Sequence, residues 1–188
     1  MKKIIFVLLI GLLAGSAAFA DHDGFGIGAV VGGGVTNGGW LKTDGLFYPG
    51  LSLKIPSIPI FWGLNANIHP YDNYGGFDIT GDVYLFEPNM VSSTATNDDG
   101  SYYKIKIDWY FGLGMGLSSN FWHHGAGVGM CLRVPIGVSW HVVEPFEIAV
   151  GSVPAVGFYS MNARKTTFWW DIRLVEIAFR FWIKDKDK

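Results

Sequence analysis

The stretch of residues 125–142 alternates between two kinds of side chain over its whole length of eighteen residues. Every second residue from Ala126 onward is apolar, whereas the residues between them are small or polar and include Cys131 and Arg133. A period of two places the two sets on opposite faces of one extended strand. Strands of soluble sheets usually have about five or six residues. The length and the pattern are instead typical of a barrel strand, with an apolar exterior in lipid and a narrow polar interior.

Seven further segments show the same alternation, and with the first they predict eight strands. The predicted strands span residues 24–34, 46–55, 58–68, 76–86, 102–117, 125–142, 146–159 and 168–183. An even number of antiparallel strands can close into a ring, which gives each backbone group the partner that lipid cannot provide. The predicted fold class is therefore an all-β, eight-stranded antiparallel up-and-down transmembrane β-barrel. We expect a bulge at residues 152–154, because Pro154 has no N–H group, and a change of phase near residues 174–175.

The chain begins with the pattern of a secretory signal peptide. Lys2 and Lys3 precede an apolar run over residues 4–13, and Ala18-Phe19-Ala20 supplies small residues before a cleavage site. The predicted organisation is a signal peptide at residues 1–20, an outer-membrane barrel at 21–183 and a polar tail at 184–188. The predicted location is the outer membrane of a Gram-negative-type, diderm bacterium.

Composition excludes several function classes. Of 14 basic residues, two lie in the signal peptide, so 12 remain against 16 acidic residues, a net charge of −4. Nucleic-acid binding would require a basic surface. His123 and His124 are adjacent and have no further ligand at a fixed spacing, so we predict no metal and no cofactor. Ser118 and Ser119 lie near these histidines, but no arrangement fixes a triad, so we predict no catalytic residues and no enzyme.

The interior face of the predicted barrel carries five basic and five acidic residues. They are Lys54, Lys104, Lys106, Arg133 and Arg180, with Asp78, Asp82, Asp108, Glu147 and Glu176. An isolated buried charge is very costly, and an eight-stranded barrel has room only for side chains. We therefore predict a charge network of Lys54, Asp82, Arg133, Glu147, Glu176 and Arg180 that plugs the lumen.

The connections between the predicted strands alternate between the two ends of the barrel. With a periplasmic N-terminus, residues 35–44, 69–75, 118–124 and 160–167 form the outer loops. The turns at residues 56–57 and 144–145, and a longer solvated loop at 87–101, face the periplasm. Trp40, Tyr71, Phe121 and Trp122 are candidate contacts for an extracellular ligand. The alternative is that these rings belong to an interfacial aromatic girdle.

Five short runs carry a resemblance to a known family. They are SLKIP at 52–56, IFWG at 60–63, WYFGLG at 109–114, LRVPIG at 132–137 and PAVG at 154–157. These runs resemble small spirochaete-type outer-membrane β-barrel proteins and, more broadly, the OmpX and OmpA membrane-domain class. The resemblance implies an eight-stranded outer-membrane barrel, and some members of the family bind host proteins. The polar tail at 184–188 departs from the family, whose barrels often end on an aromatic residue.

Three function classes remain open. The first is a barrel with a structural or surface-interaction role and a plugged lumen, and the second is a narrow conduit for small or apolar molecules. The third, a soluble lipocalin-like binder, requires an apolar lumen and a polar exterior, the reverse of the observed pattern. We favour the first. Its expected partners are outer-membrane lipid, the barrel-assembly machinery and, through the loops, extracellular proteins.

Overall fold

A computed structural model describes residues 24–38, 44–56, 58–69, 74–96, 102–122, 125–143, 145–161 and 165–183. These residues form ten strands: β1 (Phe25–Gly38), β2 (Asp44–Lys54), β3 (Phe61–His69), β4 (Tyr74–Phe86), β5 (Asn89–Thr96), β6 (Tyr102–Trp122), β7 (Gly125–Arg133), β8 (Ile136–Val143), β9 (Phe146–Met161) and β10 (Lys165–Ile183). Within this described part of the chain, no helix is long and apolar enough to cross a membrane. The predicted signal peptide and polar tail lie outside the described residues.

The strands form one antiparallel sheet that closes on itself. β1 pairs with β2 on one side and with the last strand, β10, on the other, so that Phe25 lies opposite Ile183. The ring runs through β1, β2, β3, β4, β6, β7, β9 and back to β10. β5 continues the line of β4, and β8 continues that of β7, so the wall has eight positions. The predicted all-β, eight-stranded antiparallel barrel is confirmed.

β7 and β8 together form the long strand predicted at residues 125–142. Gly127 lies opposite Met161 of β9 and His141 lies opposite Glu147, with no change of register between these pairs. The ladder is interrupted only around Pro135, because proline has no N–H group to donate. Even there the Val134 N–H donates to the Pro154 carbonyl oxygen at 2.9 Å.

The two faces of this strand have the predicted environments. Outward Val128, Leu132 and Trp140 are 63%, 58% and 42% exposed, whereas inward Arg133 and Ser139 are buried. Because the exposed residues are apolar and the buried ones are polar or charged, the barrel has an apolar exterior and a polar interior. A soluble binding barrel shows the opposite distribution.

Glycines on the inner face make room for tyrosine rings. A Cβ atom at Gly127 or at Gly129 would overlap the ring of Tyr159, and one at Gly137 would overlap the Tyr110 hydroxyl group. The small residues of β7 and β8 therefore complement large residues on β6 and β9. This packing accounts for the alternating glycines that the sequence shows on one face of the strand.

The structure corrects two predictions about irregular segments. The solvated loop predicted at residues 87–101 contains β5, which pairs with the first part of β6 from Asn89 opposite Asp108 to Thr96 opposite Tyr102. The bulge predicted at residues 152–154 is absent from β9. It lies instead on the neighbouring β10, where the register shifts between Arg173 and Glu176, near the predicted change of phase.

The two ends of the barrel differ in their connections. The loop end carries the segments 39–43, 70–73, 123–124 and 162–164, and the turn end carries both barrel termini and the segments 55–60, 97–101 and 144–145. The loops predicted at 35–44 and 118–124 are shorter than expected, because β1 continues to Gly38 and β6 continues to Trp122. Antiparallel pairing stabilises these extensions more than their polar residues disfavour them.

Candidate functional site

Four aromatic side chains from different strands form a layer across the interior near the turn end. The Phe61 ring stacks on Tyr84 at 4.3 Å between centroids, and Tyr84 stacks on Tyr110 at 4.5 Å. Trp182 meets Phe61 edge-on at 6.3 Å. All four are buried, and we call them the aromatic layer. Together with smaller buried residues such as Val30, Ala149 and Ala178, they form an apolar cluster in an interior that is otherwise rich in polar groups.

Arg180 lies directly against this layer. Its Nη1 atom donates to Glu147 Oε1 at 2.7 Å, its Nη2 atom to the Tyr84 hydroxyl oxygen at 3.1 Å, and its Nε atom to Ser52 Oγ at 3.1 Å. The guanidinium carbon lies 4.8 Å from the centre of the Phe61 ring. The other oxygen of Glu147 accepts from the Trp182 indole N–H at 2.6 Å. The buried charge pair is therefore hydrogen-bonded on both sides, which offsets its desolvation cost.

Arg133 occupies the middle of the interior. Its Nε and Nη2 atoms each donate to one oxygen of Asp82 at 3.0 Å, in the paired geometry that suits a guanidinium and a carboxylate. Glu176 Oε2 lies 3.9 Å from Arg133 Nη2 and accepts a 3.3 Å hydrogen bond from the Tyr48 hydroxyl group. The Arg133 side chain is 2% exposed, so water does not replace these contacts.

A third arginine, Arg173, lies nearer the loop end. It donates to Asp78 through Nη2 and to Asp171 through Nε at 3.4 Å, and its Nη1 atom lies 3.9 Å from Glu176 Oε2. Its guanidinium carbon also lies 4.1 Å from the centre of the Tyr48 ring. Because Glu176 is near both Arg133 and Arg173, it joins the two groups. We call the three arginines and their five carboxylates, Asp78, Asp82, Glu147, Asp171 and Glu176, the lumen network.

The structure brings five of the six predicted network residues into these contacts. The sixth, Lys54, donates through Nζ to the carbonyl oxygens of Ile58 at 2.8 Å and Ile55 at 3.2 Å, at the turn end. The sequence prediction did not include Asp171 and Arg173. A signal for them existed, because the alternation before the change of phase on β10 places the odd-numbered residues 169–173 inward.

A second buried polar group lies on β6 and β8, beyond the aromatic layer toward the turn end. Asp108 Oδ1 accepts from Asn89 Nδ2 at 2.9 Å, and Asp108 Oδ2 lies 3.1 Å from Lys106 Nζ and 3.6 Å from His141 Nε2. Asp108 is fully buried, whereas the Lys106 side chain is 29% exposed. The contacts of Asp108 with Asn89 and His141 therefore connect the β5–β6 hairpin to β8 at the turn end.

The cavity between the Arg180 and Arg133 groups is small. It has a volume of about 20 Å³ and is lined by residues that include Ser52, Thr80 and Asp82. A volume of this size holds about one water molecule. Among the described residues, no group of three His, Cys, Asp or Glu side chains could hold a metal ion. His123 and His124 lie outside the described residues.

The candidate loop contacts are spread over described and undescribed parts of the chain. Trp40 and Tyr71 lie outside the described residues, in segments that connect strands at the loop end. Phe121 lies on β6, faces outward and is 47% exposed, with its ring 5.7 Å from that of Phe77. Trp122 is the last residue of β6. The strand position of Phe121 favours the aromatic girdle for this residue.

Comparison with known proteins supports the architecture. No family model matches the sequence, and no curated protein matches it either. The crystal structure of Neisserial surface protein A (NspA) matches with a TM-score of 0.52 and 13% sequence identity, over 86% of this chain and 98% of that chain. At this identity the likeness shows the fold alone. It supports the small-barrel class of the resemblance, whereas the resemblance to spirochaete-type proteins stays a prediction.

Proposed function

We propose that the protein spans the outer membrane of a diderm bacterium as a small barrel with a closed lumen, and acts through surfaces outside that lumen. The observation that carries the proposal is a pair of contacts across the full width of the interior. Arg180 and Arg173 lie on β10, and their partners Tyr84 and Asp78 lie on β4. β10 and β4 are four positions apart in a ring of eight, so these contacts join opposite walls.

The exterior supports the membrane part of the proposal. Apolar side chains are exposed on every strand of the ring, and on β7 they form the unbroken row described above. Exposed apolar surface of this extent would be unfavourable in water, because burying it elsewhere gains about 25 cal/mol per Å². Outer-membrane lipid covers it at no such cost. The barrel-assembly machinery is the partner that insertion of such a barrel would require.

A closed lumen predicts the absence of steady conductance. We expect the mature protein, reconstituted in planar lipid bilayers, to give no steady ionic current, because the contacts of the lumen network and the stacked rings of the aromatic layer cross the interior. The double substitution Arg173→Ala and Arg180→Ala removes both contacts that cross the lumen and should produce measurable current. The control is the outward pair Phe111→Ala and Leu113→Ala, which shortens two side chains outside the lumen and should give no current. A large, steady current from the unmodified protein would contradict the proposal and favour a conduit.

We propose that contacts with extracellular molecules come from the loop end. Trp40 and Tyr71 lie in connections there, and aromatic residues on exposed loops often anchor binding. Orientation can be tested with single cysteines, since Cys131 is buried and should not react. We expect a membrane-impermeant maleimide to label Asn162→Cys on intact cells, and to label Asp99→Cys only after the outer membrane is opened. The opposite order would show that the barrel is inserted the other way.

A further inference from the structure

The lumen network contains more acidic than basic groups. Its five carboxylates exceed its three arginines by two. Arg180 pairs with Glu147, and Arg133 pairs with both oxygens of Asp82, so these two pairs are balanced. The excess negative charge therefore lies around the third arginine, Arg173. A buried charge without a partner is costly, so this excess requires compensation.

Glu176 accounts for one of the two excess charges. Its side chain is 17% exposed and accepts a 3.3 Å hydrogen bond from the Tyr48 hydroxyl group. It lies 3.9 Å from both Arg133 and Arg173 and lines the cavity that holds about one water molecule. Partial hydration, one hydroxyl donor and two guanidinium groups can therefore hold Glu176 in its charged form.

The second excess charge lies on two aspartates that share one arginine. Asp78 accepts a hydrogen bond from Arg173 Nη2, and Asp171 accepts one from Arg173 Nε at 3.4 Å. These two nitrogen atoms lie on the same edge of the guanidinium group, so the two carboxylates lie close enough to repel each other. Both side chains are at most 5% exposed. In each aspartate the second oxygen, Oδ1, is buried and accepts no hydrogen bond from a described residue.

The surroundings of the two aspartates supply no further positive charge. Their partners in register are uncharged: Thr36, Ala155, Asn65 and Ser118. The other titratable side chains that act on the two aspartates are those of Arg133, Arg173, Glu176, Tyr48 and Cys131. Asp78 lies four residues or about 13 Å inside the loop end of β4, and Asp171 lies six residues or about 20 Å inside that of β10. Side chains of the connecting segments do not reach that far along the strands.

We propose that Asp78 and Asp171 together bind one proton, which the folded barrel retains at about pH 6, where an aspartate in water is almost fully ionised. Asp171 is the protonated member, because Arg173 contacts Asp78 more closely. The proton removes the repulsion between the two carboxylates and gives Asp171 an O–H donor. A calcium or magnesium ion would require several oxygen ligands, and the described residues include no group of three acidic or other metal-binding side chains.

Proton binding makes the stability of the barrel sensitive to pH. The unfolded chain releases this proton at about pH 4, the ordinary value for aspartate, whereas the folded barrel retains it. Its contribution to stability is therefore present at low pH and is lost as the pH rises and both carboxylates ionise. We expect the urea midpoint of the unmodified protein to fall between about pH 6 and pH 9, and that of Asp171→Asn to fall less, because asparagine has no such proton to lose.

Infrared spectroscopy detects the proton directly. A protonated carboxyl group has a carbonyl stretching band at higher frequency than the carboxylate and amide bands. The mature protein is reconstituted in ether lipids, which have no ester carbonyl group. We expect the band at about pH 6 and its loss at about pH 9. Asp171→Asn should abolish it at the lower pH. The matched control Asp82→Asn removes a carboxylate that pairs with Arg133 and should keep it.

Two outcomes would overturn the inference. The first is the absence of the band at about pH 6, which would mean that both aspartates are ionised. The second is a band that persists in Asp171→Asn, which would place the proton on another group. The amide band of the same samples shows whether each variant is folded. Neither outcome affects the proposed function, because the contact of Arg173 with Asp78 crosses the lumen whether or not Asp171 is protonated.

Discussion

Replacement of Arg133 by methionine is expected to lower the free energy of unfolding by about 3–5 kcal/mol, because it leaves the buried carboxylate of Asp82 without its cation. Arg133 holds both oxygens of Asp82 and lies near Glu176, and its side chain is almost fully buried. Methionine keeps much of the volume, so the loss reports the charge more than a cavity. The measurement is urea unfolding of the protein refolded in lipid vesicles, followed by tryptophan fluorescence.

A double-mutant cycle separates the charge effect from general damage to the barrel. Asp82→Asn alone should also destabilise, since it leaves Arg133 short of a partner. The double variant Arg133→Met and Asp82→Asn should recover part of the sum, because neither buried charge of the pair remains. If the two single losses add in the double variant, Arg133 and Asp82 are not coupled and the description of the lumen network is wrong at this point.

Replacement of Leu132 by arginine is expected to cost about 2–4 kcal/mol of unfolding free energy, the cost of a basic residue near the bilayer midplane. Leu132 faces outward at the middle of the long β7–β8 strand and is 58% exposed. Ala126 faces the same way on the same strand, six residues or about 20 Å nearer the loop end. Ala126→Arg should therefore cost only about 0–1 kcal/mol, as expected near the interface.

The comparison of these two arginine variants tests the lipid-facing surface. The difference should appear in vesicles and should shrink in short-chain detergent, which has no fixed hydrocarbon thickness. Equal losses at both positions would show that depth in a bilayer does not matter, and the exterior would then have to face something other than lipid. The fold would remain a barrel, but its membrane location would need another explanation.

The alternation of side chains was sufficient to predict the barrel wall. Every second residue of a strand faces the same side, so Leu132 and Arg133 could be assigned to opposite faces without any knowledge of their neighbours. The same rule identified Arg180, Glu147 and Asp82 as interior residues. It failed at β5, where a run of serine and threonine was interpreted as a loop. That segment forms a strand because β6 is long enough to pair with it, and pairing depends on a distant partner.

Sequence could not determine which interior charges meet. Arg180 and its contact Tyr84 are 96 residues apart, so local spacing in the sequence cannot relate them. They meet only because ring closure places β10 opposite β4. Arg173 was missed although the alternation before the predicted change of phase places it inward. The bulge that causes this change lies between Arg173 and Glu176 and appears in the pairing of β10 with both β9 and β1.

The sequence by itself determined the strands of the ring, their faces and the number of wall positions, because strand geometry is local and repeats every two residues. Only the tertiary structure decided the partners of Arg133, Arg173 and Arg180, the stacking of the aromatic layer, and the pairing of β5 with β6. These features depend on register between strands that are remote in the chain. The register is set when the whole ring closes, since each strand must then satisfy two neighbours at once.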